Sequence, residues 1–113
     1  MCVFCKIVKG EIPAKVVYED ELIMAFHDIR PQRKVHVLVI PKKHIPTVND
    51  ITEEDKEILG HLWVKIPEIV KKLGIAEDGY RIIINTNKHG GQEIYHIHFH
   101  ILGGEPVGRM VCK

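Results

Sequence analysis

The sequence predicts an α+β fold, a mainly antiparallel sheet of about five strands with one long helix. Three observations lead there. Apolar, β-branched runs of strand length are joined by links of a few residues, too short for the crossover that parallel neighbours need. Residues 59–73 carry apolar side chains at helical spacing. Residues 94–102 alternate apolar side chains with three histidines, the two-residue period of a strand. At 113 residues and 45% hydrophobic content the chain suffices for one core and is short for two, so residues 1–113 are expected to form one domain.

Residues 15–19 and 22–27 are short apolar stretches on either side of the turn-forming Asp20-Glu21, a hairpin pattern. Residues 35–40 form a third strand that Pro41 is expected to end, because proline cannot donate to a ladder; Pro41-Lys42-Lys43-His44 then leaves the sheet. Thr52 with Asp55 makes a capping pattern, and Leu59, Leu62, Trp63, Ile66, Val70 and Leu73 continue the helix until Gly74 stops it. Pro67 removes a backbone donor and crowds the preceding turn, so a kink or a split is expected there. Residues 80–86 are a β-branched fourth strand, Lys88-His89-Gly90-Gly91 a loop whose glycines permit positive φ, and residues 94–102 the fifth strand.

Charge and cysteine content narrow the function. Lysines and arginines number 16 against 15 acids, a net charge of +1 with both signs scattered. A cationic stripe able to neutralise a nucleic-acid backbone is missing, so no nucleic-acid or membrane partner is expected. No apolar run reaches the ~20 residues that span a bilayer, and Met1-Cys2-Val3-Phe4-Cys5-Lys6 lacks the basic start and apolar stretch of a signal peptide; a cytoplasmic location is expected. Three cysteines, Cys2, Cys5 and Cys112, are an odd count for a disulfide framework, and Cys112 has no evident partner. Cys2-Val3-Phe4-Cys5 has the C-x-x-C spacing by which two thiolates reach one ion from a tight turn. A redox pair shares that spacing, though no βαβ pattern accompanies it.

The alternating run Ile94-Tyr95-His96-Ile97-His98-Phe99-His100-Ile101-Leu102 carries the chemistry. As a strand it places all three imidazoles on one face, successive rings roughly 7 Å apart, while Tyr95, Ile97, Phe99 and Ile101 enter the core. Burying three polar rings together requires a partner for each nitrogen, which points to a metal site, to nucleophilic or acid–base catalysis, or to both. A neutral imidazole can attack phosphorus and form a covalent intermediate that water later opens. Its other nitrogen must then be held as N–H, and the attacked group needs donors for its oxygens. Neighbouring histidines, the main chain of Gly90-Gly91-Gln92 and the amide of Asn85 can supply those donors.

The run from His96 to Leu102 matches the signature His-φ-His-φ-His-φ-φ, where φ is apolar, and the chain resembles the histidine triad (HIT) superfamily. Ile12-Pro13-Ala14-Lys15, Ala25-Phe26-His27-Asp28-Ile29, Leu38-Val39-Ile40-Pro41-Lys42-Lys43-His44 and the stretch from His89-Gly90-Gly91-Gln92 to Leu102-Gly103-Gly104 look like its Hint-like, purine nucleoside phosphoramidase-like branch. The resemblance implies a HIT-like fold with a short N-terminal helix and a homodimer. It also implies hydrolysis or transfer at the α-phosphate of a purine nucleotide, an adenosine or guanosine monophosphate derivative, without an organic cofactor. In that scheme the catalytic set is His96, His98, His100 and His36, with His98 the nucleophile and His100 and His36 orienting the phosphate. Asn85, Gly91 and Gln92 support phosphate and ribose, Asp28 accepts from the ribose hydroxyls, and Phe4, Ile7, Phe26 and Ile29 line the nucleoside pocket; read from the sequence alone, those four are ordinary core positions.

Glu93 departs from the branch, which commonly carries serine there; a carboxylate repels a phosphate unless it is turned away or protonated. Zinc-bearing relatives in the superfamily use a C-x-x-C, a histidine after the proline-led turn and the first triad histidine, which here are Cys2, Cys5, His44 and His96. Four such ligands leave no open position, so the implied zinc is structural. Two other activities use or bypass the same intermediate: dinucleoside polyphosphate hydrolysis or nucleotidyl transfer, and a zinc-stabilised nucleotide-binding protein with little catalysis.

Overall fold

In the computed structural model, which describes residues 2–111, five strands form one sheet in the order β1-β2-β3-β5-β4, with every neighbouring pair antiparallel. A short helix α1 (Val3–Val8) precedes β1 (Val16–Glu19), β2 (Ile23–His27) and β3 (Val35–Pro41); α2 (Lys56–Lys72), β4 (Tyr80–Ile83), the single turn α3 (Asn87–Gly90) and β5 (Phe99–Gly103) follow. This is the α+β architecture that the sequence predicts. The β1–β2 turn forms because Asp20 Oδ1 accepts from the N–H groups of Leu22 at 2.8 Å and Ile23 at 3.0 Å, a side chain standing in for a turn carbonyl.

Two-residue alternation sorts side chains to the two faces of the sheet. Ile23, Ala25, Val37, Val39, Phe99 and Ile101 meet Leu62, Ile66, Ile69 and Val70 of α2 in a core of fifteen buried residues. Each fully buried aliphatic side chain contributes about 2 kcal/mol, so this face dominates stability. The other face carries a smaller apolar cluster, Met24, Phe26, Leu38 and Ile40, with Phe4 of α1 over them. That smaller layer leaves room beside it for the histidines.

Four expectations are corrected. The histidine run is a strand only from Phe99 onward. Two steps before Phe99, opposite Ile97, its partner strand has reached Pro41, which has no N–H and whose carbonyl receives the His96 ring at 2.8 Å. Ile97 N–H bonds instead to the carbonyl of Ile45 at 2.7 Å, and Tyr95 is 45% exposed rather than in the core. β4 stops at Ile83, paired with His100, close to where β5 begins. Pro41 is the last residue of β3, paired with Ile23, and α2 runs unbroken through Pro67. Thr52 and Asp55 do form a capping box, on the single 3-10 turn directly ahead of α2.

Candidate active site and metal centre

Alternation along β3 places His36 on the face of Leu38 and Ile40, away from α2, and β5 places His100 directly across from Leu38. His36 Nε2 lies 2.9 Å from His100 Nδ1 and 3.5 Å from Asp28 Oδ2, while His36 Nδ1 receives the N–H of Gln32 at 3.0 Å. The His98 and His100 rings stand 4.8 Å apart, and Phe4 meets His98 edge-on at 5.2 Å.

His98 Nδ1 is 2.8 Å from the carbonyl oxygen of its near neighbour His96. A carbonyl only accepts, so Nδ1 carries the hydrogen and Nε2 keeps its lone pair. Burial lowers the pKa of His98, against the bond to the His96 carbonyl and the charges of Asp28 and Glu93. Burial, with the His98 and His36 rings beside it, brings His100 down to about 4, and burial also lowers His36 despite Asp28. All three rings, His36, His98 and His100, therefore rest as neutral imidazoles at neutral pH.

The first triad histidine faces elsewhere. His96 is fully buried, and its Nε2 donates to the Pro41 carbonyl, which leaves the Nδ1 lone pair pointing at a second cluster. Cys2 Sγ at 3.4 Å, Cys5 Sγ at 3.6 Å and His44 Nδ1 at 3.2 Å surround it, and Cys5 Sγ is 3.4 Å from His44 Nδ1. A tetrahedral ion with bonds of about 2.0–2.3 Å to nitrogen and sulfur holds such donors about 3.3–3.8 Å apart. These four residues can therefore hold a metal ion, and the donor chemistry of His96 suits it. The His96 ring thus turns toward the cysteines, while its main-chain carbonyl holds His98 Nδ1.

The other expected residues divide. Phe4 and Phe26 are buried with ring centroids 5.5 Å apart, next to His98; Ile7 packs at their edge. Ile29 is 92% exposed, so it is no part of the core. Asp28 is half-buried, its Oδ1 held by the Arg30 N–H at 2.7 Å. Asn85 is half-buried, and Gly91 is exposed at φ 79° ending α3. Gln92 is buried with both amide hydrogens engaged, to the carbonyls of Pro46 at 2.8 Å and Ile94 at 3.0 Å, while its Oε1 accepts from Asn87 N–H at 2.9 Å. It ties the α3 loop to the segment that follows His44. Glu93 is exposed, turned to solvent.

Sequence reasoning passed over the main-chain groups of Pro41, Ile45 and Gln32, which no residue type announces. It also passed over Lys43, whose Nζ bonds the buried Asp55 at 2.6 Å immediately before His44. The proline-led turn before His44 is the signal that could have suggested a fixed anchor there. Cys112 lies outside the described residues. Among the described residues, no helix is long and apolar enough to cross a membrane.

The sequence profile of the HIT domain matches residues 9–107. Purine nucleoside phosphoramidase of Escherichia coli K12 is 53% identical over 110 residues, covering 97% of this chain and 92% of that protein. A HIT family hydrolase from Legionella pneumophila Philadelphia 1 superposes with a TM-score of 0.92 at 51% identity, covering 96% of both chains. A histidine triad protein from Clostridium difficile gives 0.92 at 43% identity, covering 97% of this chain and 96% of the other.

Proposed function

The chain belongs to the HIT family as a nucleotide hydrolase of the histidine triad type, and we propose that it cleaves purine nucleoside phosphoramidates, an adenosine or guanosine monophosphate joined to an amine. The observation that carries this reading is the bare Nε2 of His98, held by the bond from its Nδ1 to the His96 carbonyl. That nitrogen attacks the α-phosphorus, the phosphorus–nitrogen bond breaks, and the amine leaves with a proton taken from solvent, which the water of the hydrolytic step returns. The nucleotidylated His98 keeps its Nδ1–H on the carbonyl, which supports the positive ring, and water then releases the nucleoside monophosphate. His100 and His36 orient the phosphoryl oxygens, and Asn85 and the Gly91 main chain support phosphate and ribose. Phe4, Ile7, Phe26 and Ile29 receive the base, and Asp28 accepts from the ribose.

Cys2, Cys5, His44 and His96 hold zinc, a closed site that when loaded fastens α1 and the start of the histidine segment to each other. Residues 1–113 act as one HIT domain in the cytoplasm, as a homodimer. The open edge of β4 and the exposed Trp63 and Val64 of α2 support the dimer.

The test is His98→Ala. It abolishes turnover of an adenosine phosphoramidate while zinc content and circular dichroism stay as in the wild type. Rapid quench of the wild type traps a nucleotidylated histidine in the peptide containing His98. Near-normal turnover by the variant would sink the nucleophile assignment, and faster cleavage of diadenosine polyphosphates than of the phosphoramidate would move the activity to that class.

A further inference from the structure

We propose that the main-chain turn from Asp28 to Gln32 orders the protons of the histidine cluster, so that His100 donates a hydrogen bond to the substrate phosphoryl group without acting as the acid that protonates the leaving amine. This rests on the assignment of His98 as nucleophile, and it adds Asp28, as well as the Gln32 peptide group, as positioning elements for the reaction.

The ordering starts at the Gln32 N–H, 3.0 Å from His36 Nδ1. A peptide N–H only donates, so His36 Nδ1 must present its lone pair, and the hydrogen of the neutral ring sits on Nε2. His36 is buried, so a ring carrying its hydrogen on Nδ1 would leave two buried donors facing each other. The Nε2–H then points at His100 Nδ1, 2.9 Å away, which must accept, and the hydrogen of His100 is on its own Nε2. Asp28 favours the same arrangement, with Oδ2 3.5 Å from His36 Nε2. The turn is held from both ends: Asp28 N–H bonds the His36 carbonyl at 2.9 Å, Arg30 N–H bonds Asp28 Oδ1 at 2.7 Å, and Arg33 Nη1 donates to the Gln32 carbonyl at 2.6 Å.

Two consequences follow. His98 and His100, neighbours on one face, present opposite states at Nε2, a lone pair on the first and a hydrogen on the second. The chain also ends on a peptide group that cannot ionise. If His100 gave up its Nε2–H and refilled from His36, His36 would be left an imidazolate with no source of replacement. Net proton transfer through the chain is blocked, and stabilising developing charge on the phosphoryl oxygens is what remains for His100. Asp28, His36 and His100 also have the spacing of a two-imidazole, one-carboxylate cation set, but the hydrogen on His36 Nε2 removes the lone pair that a cation needs.

Long-range proton–nitrogen NMR correlation of the imidazoles in the nitrogen-15-labelled wild-type protein at neutral pH tests the ordering directly. The expected spectrum shows neutral rings with hydrogen on Nε2 of His36 and His100 and on Nδ1 of His98. Hydrogen on Nδ1 of His36 or His100, or an imidazolium at either, overturns the proposal. Asp28→Asn and Gln32→Pro, the latter deleting the N–H, should mix the tautomers of His36 and His100 and lower kcat toward the factor of about a hundred to a thousand that loss of an aligned oxyanion donor costs. An Asp28→Asn variant that raises KM alone and keeps the wild-type spectrum would reduce Asp28 to a ribose contact and overturn its positioning role. The expected spectrum in a protein that traps no nucleotidyl-His98 supports the ordering and removes the phosphoramidase reading; an Nδ1–H on His36 beside a trapped intermediate does the reverse.

Discussion

Phe4→Ala separates the two things that hold α1 in place. The helix has six residues, well under the ~12–15 that an isolated helix needs in water, and Phe4 is its single buried side chain. That ring packs on Phe26 at 5.5 Å, His98 at 5.2 Å and His96 at 5.9 Å, between the two cysteines of the metal centre. Truncating a buried phenylalanine costs about 3–5 kcal/mol, which lowers the docking constant of α1 by roughly a hundredfold to several thousandfold. Zinc bound as proposed, through Cys2 and Cys5, would offset that loss, and a chelator would remove the offset. Hydrogen exchange with mass analysis reads the outcome at the amides of Lys6, Lys9 and Gly10, whose bonds to Cys2, Cys5 and Ile7 carbonyls close the helix. Metal-loaded Phe4→Ala is expected to keep α1 protected, and the chelated variant to lose it while β3 and β5 stay protected. Unchanged α1 protection in the chelated variant would refute the reasoning, as would loss of protection throughout the chain, because α1 would then belong to the global cooperative unit.

His44→Ala takes one of four ligands from the metal centre and is expected to leave zinc well below one equivalent after dialysis, measured by atomic emission, while the wild type retains it. Leu62→Ala, at a fully buried position of α2, is expected to cost about 2–5 kcal/mol in urea unfolding, with kcat for the folded fraction unchanged. Asp20 gives an acid-dependent prediction: burial pushes its carboxyl up, but bonds from His61, Tyr18 and the Leu22 and Ile23 amides outweigh this and hold it well below the usual carboxylate range. A folded pKa below the unfolded one of about 3.9 means that its contribution is full above that pH and is lost as pH falls through the folded value. Urea midpoints of wild type and Asp20→Asn should therefore differ most near neutrality and converge in acid; a gap that stays constant down to about pH 2 would contradict it.

The legible part of this protein was its side-chain pattern. Short apolar runs at residues 22–27 and 35–40 marked two of the strands, and the C-x-x-C, with His44 and His96 supplied by the family resemblance, named a ligand set that the fold brings within 3.2–3.6 Å around His96. Alternation overextended the histidine strand to residue 94, because period two measures which way side chains point and not whether a partner strand is present to pair with. Extending the register puts Pro41 opposite Ile97, where it has no N–H to offer, and the Ile97 N–H bonds the Ile45 carbonyl instead. Ile29 was read by composition as a core position and is almost wholly exposed, since apolar character does not say which side of a turn faces the interior.

By itself, then, the sequence determined which residues stand on the histidine face and which chemistry they can perform. The tertiary structure decided what each ring does. The carbonyl of Pro41 turns His96 toward the cysteines, the carbonyl of His96 bares His98 Nε2, and the N–H of Gln32 sets the hydrogen on His36. Those three groups are main chain, nearly the same in every residue, so their positions enter the chemistry only once the chain has folded around them.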